Sequence, residues 1–255
     1  MSIRKETVVV VSQKQIGADI YDMVLLFPAA AKEAKPGQFL AMYCNEGSRL
    51  LPRPISICGI DANAGTLRVV YRIAGEGTKE FSRMEKGDTL EVMGPLGNGF
   101  TMKEGRAILV GGGIGIPPML ELAKQLSCEK TVVLGYRDEL FLQEEFDQFA
   151  DVAVATEDGS FGTKGTVIDA IRECGAAGDI IYACGPMPML KAVAAYAQEH
   201  GMEAQISLEE RMACGIGACL GCICKTKEKD HHTNVNNSRI CKDGPVFDAK
   251  EVVFP

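Results

Sequence analysis

A run of cysteines near the end of the chain constrains its fold more than any other feature. Three follow the spacing Cys214-x4-Cys219-x2-Cys222, and Cys241 comes after eighteen further residues. This is the C-x4-C-x2-C run, with a distant fourth cysteine, that holds plant-type [2Fe–2S] clusters. The loop between the first two thiols is small and glycine-rich, so its backbone N–H groups can approach the inorganic sulfides. The spacing therefore predicts a [2Fe–2S] site made by these four thiolates.

Other arrangements of these thiols remain open. A structural zinc site is the main alternative, although such sites usually combine paired C-x2-C knuckles and only one such pair is present. Cys224 is a fifth thiol that could replace a ligand, because in an extended segment its side chain shares one side with that of Cys222. We expect a buried Cys224 that binds no metal. A Rieske centre is disfavoured because His231 and His232 lie in a polar loop outside the run.

The remaining composition is that of an ordinary globular chain. Its 255 residues carry a formal net charge of −7, so neither a nucleic-acid surface nor a polybasic membrane anchor is expected. The aliphatic run 8–11 is far too short to span a bilayer, and the N-terminal residues lack the long apolar region of a secretory signal. We therefore expect a cytoplasmic protein. The scattered cysteines are expected to be buried as small hydrophobic residues: Cys44, Cys58, Cys128, Cys174 and Cys184.

The first hundred residues contain short predicted strands separated by turn signals such as Lys35-Pro36-Gly37. A short helix over 78–84 interrupts them. The six strands are predicted at 6–11, 20–26, 38–43, 55–60, 67–73 and 89–93. Strands of this length and spacing indicate a small antiparallel barrel, which we assign to residues 1–101.

The pattern then changes to alternating strands and helices. Strands are predicted at 107–110, 131–134, 152–155 and 179–183, and helices at 117–126, 143–149, 167–173 and 187–199. This alternation predicts an α/β unit with a parallel sheet and helices on both faces, over residues 102–208. The tail, residues 209–255, follows neither pattern and ends in a strand-like stretch at 252–254. The predicted fold class is therefore α+β and multidomain: a barrel, a parallel-sheet domain and a small cysteine-rich domain.

Glycine-bearing segments follow several of the predicted parallel strands. Gly113 and Gly115 lie between a strand and a helix, where backbone can approach a pyrophosphate. The motif is not a full G-x-G-x-x-G, because Pro118 stands in place of the last glycine. Cys184-Gly185-Pro186 and the segment 156–160 follow two later strands. Ligands bind outside the carboxyl ends of such strands, so these ends together predict a dinucleotide cleft.

The barrel half contains possible anion-binding segments. Arg53-Pro54-Ile55-Ser56 opens a strand with a planar guanidinium that suits a diphosphate, and Ser56 could donate to a flavin edge. Val70-Tyr71-Arg72 ends another strand, and Gly77-Thr78 lies in the first turn of the short helix. Taken singly, each of these segments could equally be a turn or a helix cap.

Together these motifs resemble the ferredoxin–NADP reductase-like flavoproteins. The resemblance implies FAD on the barrel, bound at residues 53–56, 70–72, Gly77 and Thr78. It implies a nicotinamide dinucleotide at Gly113, Gly115 and 184–186. The cysteine-rich stretches 210–222 and 241–247 closely resemble those of dihydroorotate dehydrogenase B electron-transfer subunits, and this resemblance covers essentially the whole chain.

That family implies a function in pyrimidine (UMP) biosynthesis. A catalytic subunit carrying FMN oxidises dihydroorotate to orotate, and electrons then pass through [2Fe–2S] and FAD to NAD+. A heterotetramer with two copies of each subunit is implied. No Ser–His–Asp, Cys–His or paired-carboxylate constellation stands out, so no catalytic residue is expected on this chain.

Two other functions use some of the same features. One is a related FAD and [2Fe–2S] reductase subunit that serves a sulfide- or ferredoxin-linked partner. The other is a binding protein with a structural zinc site and no enzymatic activity. The residues alone also leave NAD and NADP open, because Arg137 would attract a 2′-phosphate and the adjacent Asp138 would repel it. The family resemblance favours NAD.

Overall fold

A computed structural model describes residues 3–137, 139–229 and 234–255. Its first part is a closed antiparallel barrel with the strand order β1-β2-β5-β4-β3-β6. The strands are β1 (Arg4–Gln15), β2 (Ile20–Leu26), β3 (Phe39–Met42), β4 (Arg53–Asp61), β5 (Thr66–Arg72) and β6 (Thr89–Leu96). Two short helices, α1 (Pro28–Ala31) and α2 (Glu76–Phe81), lie between strands. The predicted barrel is confirmed.

Alternating burial explains why these segments form a barrel. Along β1, Val8 and Val10 are buried while Val9 is exposed, which is the period-two pattern of a strand with one face on a core. The interior is filled by aliphatic and aromatic side chains from all six strands. Helix α2 begins at Glu76, two residues before the predicted start, and ends at Phe81, three residues before the predicted end.

The second part is a sheet with the order β10-β9-β8-β7-β11-β12-β15, and its neighbours from β10 to β12 are parallel. The parallel strands are β7 (Ala107–Gly112), β8 (Lys130–Tyr136), β9 (Asp151–Thr156), β10 (Thr163–Lys164), β11 (Ile180–Cys184) and β12 (Glu203–Ser207). The helices are α3 (Ile116–Gln125), α4 (Gln143–Phe146), α5 (Val167–Glu173) and α6 (Met187–Glu199). A 3-10 turn, Gly113–Gly115, joins β7 to α3.

The predicted parallel sheet is confirmed, but the sequence analysis missed several of its strands. β12 was missed although its residues alternate between exposed and buried, and β10 was missed because it has only two residues. The third addition is β15 (Val246–Asp248), which comes from the C-terminal segment and pairs antiparallel with β12. The C-terminal segment is therefore joined to the parallel sheet by backbone hydrogen bonds.

The C-terminal segment contains little regular structure besides β15. A two-stranded ribbon pairs β13 (Ile223–Lys225) with β14 (Asn237–Arg239). Neither strand was predicted. The predicted strand at 252–254 is wrong, because Val252 makes only an isolated bridge to Thr226. His231 and His232 lie outside the described residues, as does part of the 225–239 loop.

Two hydrophobic cores bind the three parts of the chain into one structure. The core on the α5–α6 side of the sheet continues onto the outer face of the barrel through Ala41 and Met93, and onto the C-terminal segment through Ile240. The core on the α3–α4 side reaches the barrel through Ile20 and Val70. Among the described residues, every helix is too short or too polar to cross a membrane.

The scattered cysteines only partly match the prediction of burial. Cys58 and Cys184 are buried, and Cys44 and Cys128 are half-buried. Cys174 is exposed, so its predicted burial is wrong. It is the C-cap residue of α5, where the chain leaves the sheet and turns into solvent.

Candidate functional site

A cavity of about 520 Å³ lies where the barrel, the sheet and the C-terminal segment meet. The barrel contributes the start of β4 and the end of β5, which are adjacent because the strands are antiparallel. The sheet contributes the turn after β7 and the ends of β11 and β12. The predicted site residues that line the cavity are Arg53, Pro54, Ile55, Ser56, Val70, Tyr71, Arg72, Thr78, Gly115, Cys184 and Gly185. The structure thus brings the predicted flavin and dinucleotide segments together.

Gly77 does not line the cavity, but its lack of a side chain sets the position of Arg53. A Cβ atom on Gly77 would lie 2.0 Å from Arg53 Nε and 2.4 Å from its Cζ. The guanidinium therefore rests against the first turn of α2. There Thr78 Oγ1 accepts hydrogen bonds from Ala74 N at 2.9 Å and Gly75 N at 3.2 Å. This arrangement fixes a planar donor group at the cavity wall.

Three arginine residues line the cavity: Arg53, Arg72 and Arg211. Within the described ranges, none of the three forms an ion pair with a carboxylate. Arginine is always charged and its donors form a fork that matches phosphate oxygens. The cavity can therefore receive an anionic ligand such as a diphosphate.

Tyr71 faces away from the cavity, although the residue contributes to its wall. The ring is 1% exposed and packs in the barrel, stacked on Tyr21 with a centroid distance of 6.0 Å. Its hydroxyl donates to Gln13 Oε1 at 2.8 Å. The phenol is thus committed to the barrel, and burial raises its pKa.

A further segment of the cavity wall, Ser207–Met212, was not among the predicted site residues, and we call it the strap. It leaves the end of β12, and all six of its residues line the cavity. β12 is parallel to β11, with Ser207 beside Cys184, so the strap starts at the carboxyl edge where ligands of such sheets bind. If a strand had been predicted at 203–207, the strap would have been a candidate for the site, because ligands bind outside the carboxyl ends of parallel strands. The same rule pointed to Cys184.

The strap also brings titratable groups to the cavity. Burial raises the pKa of Cys184 to about 12, against a hydrogen bond with Ser207 that lowers it. Partial desolvation raises the pKa of Glu209, and the negative charge of the neighbouring Glu210 raises it further. Cys184 is therefore a neutral thiol at physiological pH.

The predicted dinucleotide glycines play different parts. A Cβ on Gly115 would lie 2.4 Å from the carbonyl oxygen of Cys184, so this glycine allows the turn after β7 to touch the end of β11. Gly113 has a φ of +52° and open space around its Cα, and it does not line the cavity. Pro186 is the N-cap residue of α6 and also lies outside the cavity lining.

The third predicted strand end, residues 156–160, does not line this cavity. There Asp158 Oδ1 accepts from Ser160 N at 2.9 Å, which closes an exposed turn after β9. The ends of β7, β11 and β12 line this cavity, and a dinucleotide cleft that includes residues 156–160 stays a prediction. Arg137 follows β8, and Asp138, its predicted counterpart in choosing between NAD and NADP, lies outside the described residues.

The four predicted cluster thiols lie in one small region next to the barrel. Cys222 and Cys241 are buried, Cys214 is half-buried and Cys219 is exposed. The loop between the first two turns through left-handed glycines, Gly215 at φ +70° and Gly217 at +82°. A side chain at either position would strain the turn, which explains the glycine-rich loop.

Backbone N–H groups point at these sulfurs. Gly217 N donates to Cys241 Sγ at 3.1 Å, and Ala218 N donates to Cys214 Sγ at 3.3 Å. Cys241 N donates to Cys222 Sγ at 3.4 Å. For Cys214, burial opposes ionisation, but the N–H groups of Ile216, Cys219 and Ala218 and the side chain of Cys219 prevail and lower its pKa to about 6. The loop is thus prepared to hold thiolates, which are the ligands of iron–sulfur clusters.

The thiols come in two neighbouring pairs. Cys219 N donates to Cys214 Sγ at 3.4 Å, and the Cys222 and Cys241 thiols hydrogen-bond each other. Among the described residues, no three side chains of the ligand-forming types converge on one metal-ion position. Four thiols in one region can supply two protein ligands to each iron of a binuclear centre, and the C-x4-C-x2-C spacing favours that centre over one tetrahedral zinc ion.

Cys224 lies beside these pairs on the β13–β14 ribbon. It is half-buried against the core on the α5–α6 side of the sheet and pairs in register with Ser238. Burial raises the pKa of Cys224 to about 11, and it likewise raises that of the proposed ligand Cys241 to about 12, so the exclusion of Cys224 rests on the spacing of the motif. These surroundings favour a neutral thiol.

Comparison with family models divides the chain into three matches. A model of oxidoreductase FAD-binding domains matches residues 7–100, and a model of oxidoreductase NAD-binding domains matches residues 109–195. The third model describes the iron–sulfur cluster binding domain of dihydroorotate dehydrogenase B and matches residues 209–253.

Whole-length relatives agree with these models. The chain is 45% identical to the dihydroorotate dehydrogenase B (NAD(+)) electron transfer subunit of Caldanaerobacter subterraneus subsp. tengcongensis, over 96% of this chain and 97% of that protein. It is 44% identical to the subunit of the same name from Fusobacterium nucleatum subsp. nucleatum, over 93% and 94%. A solved structure of an NADH-dependent reduced ferredoxin-NADP oxidoreductase aligns with a TM-score of 0.87 and 31% identity, over 97% of this chain and 90% of that one.

Proposed function

This chain belongs to the family of dihydroorotate dehydrogenase B electron-transfer subunits, and we propose from that premise which of its residues carry out the transfer. It is an oxidoreductase subunit that binds FAD, NAD and an iron–sulfur cluster. FAD, when bound, exchanges a hydride with nicotinamide and single electrons with iron, so it links two-electron and one-electron chemistry.

The barrel side of the cavity is the proposed FAD site. Arg53, held against Gly77, anchors the diphosphate, and Ser56 and Thr78 supply polar groups nearby. The main chain around Val70–Arg72 forms the adjoining wall. Support for this assignment comes from the unpaired charge of Arg53 and from the anion-compatible cavity it lines.

The sheet side of the cavity is the proposed nicotinamide site. Gly115, Cys184 and Gly185 bring backbone close to the flavin position, and the neutral Cys184 thiol adds no charge there. Gly113 and Pro186 shape the two turns without lining the cavity. NAD therefore reaches FAD at the meeting of the barrel and the sheet.

The cluster site is proposed to consist of Cys214, Cys219, Cys222 and Cys241, with Cys224 excluded. One observation carries the proposed route of electrons. The strap that lines the flavin cavity runs on to Cys214 two residues later, and Pro245, four residues after Cys241, lines the same cavity. Both ends of the cluster segment are thus tied directly to the flavin site.

The partner is a catalytic subunit of dihydroorotate dehydrogenase. We propose that it carries FMN, oxidises dihydroorotate to orotate, and joins this chain in a heterotetramer with two copies of each. We also propose three units, 1–101, 102–208 and 209–255, and a cytoplasmic location. The cysteines of the described residues are all unpaired thiols, as a reducing compartment requires.

Co-expression with the catalytic subunit tests this function. We expect the purified complex to reduce NAD+ with dihydroorotate, and the isolated chain to oxidise NADH with dyes but not to oxidise dihydroorotate. Replacing the partner by ferredoxin distinguishes the related reductase seen in the structural comparison. Efficient ferredoxin reduction, without coupling to dihydroorotate, would contradict the proposal.

A further inference from the structure

Asn98, in the loop that follows β6, forms hydrogen bonds with the turn 242–244, which directly follows the proposed cluster ligand Cys241. Asn98 donates from its backbone N to Gly244 O at 2.6 Å. Its side-chain Nδ2 donates to Lys242 O at 3.2 Å and to Asp243 O at 3.0 Å. One asparagine therefore satisfies three successive carbonyl groups of the turn after Cys241. Such a turn has no regular secondary structure of its own to hold those carbonyls.

The barrel and the turn also approach closely at Gly97. This glycine has a φ of +73°, and a Cβ there would lie 2.5 Å from Pro245 Cδ and 2.7 Å from Gly244 O. Behind it, the buried Gln38 donates from Nε2 to Gly97 O at 2.7 Å. The loop is thus fixed to the barrel on one side and to the turn on the other.

The position of this contact relates it to both proposed cofactor sites. Pro245 lines the flavin cavity, and Leu208 of the strap donates from its backbone N to Pro245 O at 2.9 Å. Cys241 stands four residues before Pro245. A shift of the turn would therefore move a cluster ligand relative to the flavin wall.

Apart from the bond from Leu208 to Pro245, the turn's other polar contacts among the described residues lie within the C-terminal segment. Arg239 donates from Nε to Asp243 Oδ2 at 2.9 Å and from Nη2 to Asp243 Oδ1 at 3.0 Å. These bonds give the turn its shape but do not fix it to the barrel. The side chain of Asn98 adds two hydrogen bonds that do.

We propose that Asn98 is a positioning residue, which holds the Cys241 turn against the barrel and so sets the separation of the cluster from the flavin. This inference rests on the proposed flavin and cluster sites. Asn98 itself touches neither site, since it is exposed and absent from the cavity lining. Its loss should therefore leave both cofactors bound and slow the transfer of electrons between them.

Two variants test the side chain, and one tests the contact from the barrel. Asn98→Ala removes both amide donors, and Asn98→Asp keeps the size but cannot donate to the two carbonyls. Gly97→Ala pushes on Pro245 from the barrel. Asn63→Ala, in an exposed turn of the barrel, is the matched control. Iron and flavin content, the electron paramagnetic resonance spectrum of the reduced cluster and stopped-flow reduction by NADH are measured for each.

We expect full iron and flavin content and unchanged dye reduction by NADH in both Asn98 variants. Cluster reduction should slow roughly five- to tenfold, the scale on which losing one or two net hydrogen bonds shifts a docking equilibrium. The spectrum of the reduced cluster should change, and Gly97→Ala should change it in the same direction.

Wild-type cluster reduction rates and spectra in both Asn98 variants would overturn the proposal. Loss of iron from Asn98→Ala would also overturn it, because the residue would then hold the cluster rather than position it. A wild-type chain without iron or flavin would instead contradict the proposed function, so the two failures are distinguishable.

Discussion

The flavin cavity and the cluster loop lie side by side, but they are built by different means. Strands form much of the cavity wall, and their opposite faces pack into the barrel interior and two further cores. Tyr71, for example, lines the cavity while its ring is buried in the barrel. In the cluster loop, Cys222 and Cys241 pack into the core on the α5–α6 side of the sheet, but Cys214 and Cys219 lie outside the cores. The turns of this loop depend on left-handed residues such as Gly215, Gly217 and Leu220, and its contacts are largely N–H groups directed at sulfur.

This difference indicates how each site depends on its ligand. Hydrophobic burial stabilises the barrel whether or not a flavin is present, so the cavity is preformed. The cluster loop gathers four thiols that repel one another as thiolates, and burial of Cys222 and Cys241 adds a cost to ionising those two. Metal–thiolate bonds supply that free energy, and in such sites the free energy of metal binding is free energy of folding.

The largest expected effect is the loss of the cluster on replacement of a ligand. Serine at Cys214, Cys219, Cys222 or Cys241 should abolish the iron–sulfur absorption and leave flavin content close to wild type. The cause is removal of one of four thiolates from a loop that they hold together. Iron content and visible spectra of the purified variants give the measurement.

Cys224→Ser is the matched control, because it makes the same atomic change beside the ligands. It should retain the cluster, since Cys224 packs against the core as a neutral thiol. If Cys224→Ser lost its iron and Cys241→Ser kept it, Cys224 would be the fourth ligand and Cys241 would not be a ligand. Loss of flavin from the serine variants of the four cluster thiols would instead mean that the flavin cavity also depends on the cluster.

The next effect concerns the flavin cavity. Arg53→Ala should weaken FAD binding roughly ten- to a hundredfold, because a charge-assisted hydrogen bond contributes about 1.5–3 kcal/mol. Iron content should not change, because the Arg53 guanidinium rests against the first turn of α2 and not against a cluster thiol. Flavin per chain after gel filtration measures retention, with Arg83→Ala on the exposed chain after α2 as the control. Full flavin occupancy in the Arg53 variant would remove Arg53 from the site.

The same contrast explains what could be predicted from the sequence. The grouping of the four proposed cluster thiols in one region could be predicted because it follows from a spacing motif, which is read without knowledge of the fold. Arg53 and Ser56 were predictable from a short motif at a strand start. In each case the residues that act together are neighbours along the chain.

The strap was not predictable in this way. Glu209 and Arg211 reach the cavity only because β12 adds to the sheet beside β11, a pairing of segments far apart in sequence. β15 was missed for a similar reason, since three residues form a strand there only because β12 offers an edge. Long-range pairing decides such elements, and local patterns carry little of that information.

A smaller effect is expected where the cluster faces the partner. Ala218 is exposed, and its backbone N–H bonds Cys214 Sγ, so its side chain points away from the thiols it helps to hold. The loop is uncharged and next to the exposed Ile216 and Leu220. We therefore expect the catalytic subunit to dock here, since electrons need a short route out.

Ala218→Glu should weaken coupling to the partner by about 1–3 kcal/mol, the cost of a polar group buried without compensation. NADH oxidation with dyes and the cluster spectrum should stay near wild type. Ala218→Ser is the uncharged control. The measurements are dihydroorotate-dependent NAD+ reduction and binding of the catalytic subunit. Parallel loss of the dye activity and the cluster would mean that the substitution damaged the site and not the interface.

The smallest effect is expected at the ion pair that joins the barrel to the α/β unit. This contact does not depend on a bound metal. Arg68 on β5 joins Asp22 of the barrel, at 2.9 Å, to Glu145 of α4, at 2.6 Å. The hydrogen bond from Arg68 lowers the pKa of Glu145 from its ordinary value of 4.5, against burial that raises it. The ion pair therefore stabilises the fold above about pH 4.5, and this contribution is lost as the pH falls through the lowered pKa.

Glu145→Gln should reduce the free energy of unfolding at pH 7 by about 0.3–1 kcal/mol, a range that allows for the partial exposure of the pair to solvent. The difference from wild type should shrink as the pH falls from about 4.5 through the lowered pKa of Glu145, because below that pKa the carboxyl is protonated in both the folded and the unfolded state. Glu144→Gln makes the same charge change on an exposed neighbour and should have little effect. Urea unfolding followed by flavin fluorescence at several pH values gives the measurement. Equal effects of the two substitutions would mean that net charge, rather than the contact with Arg68, sets the acid response. A loss of iron in Glu145→Gln at pH 7 would show that the cluster loop depends on the contact between Arg68 and Glu145.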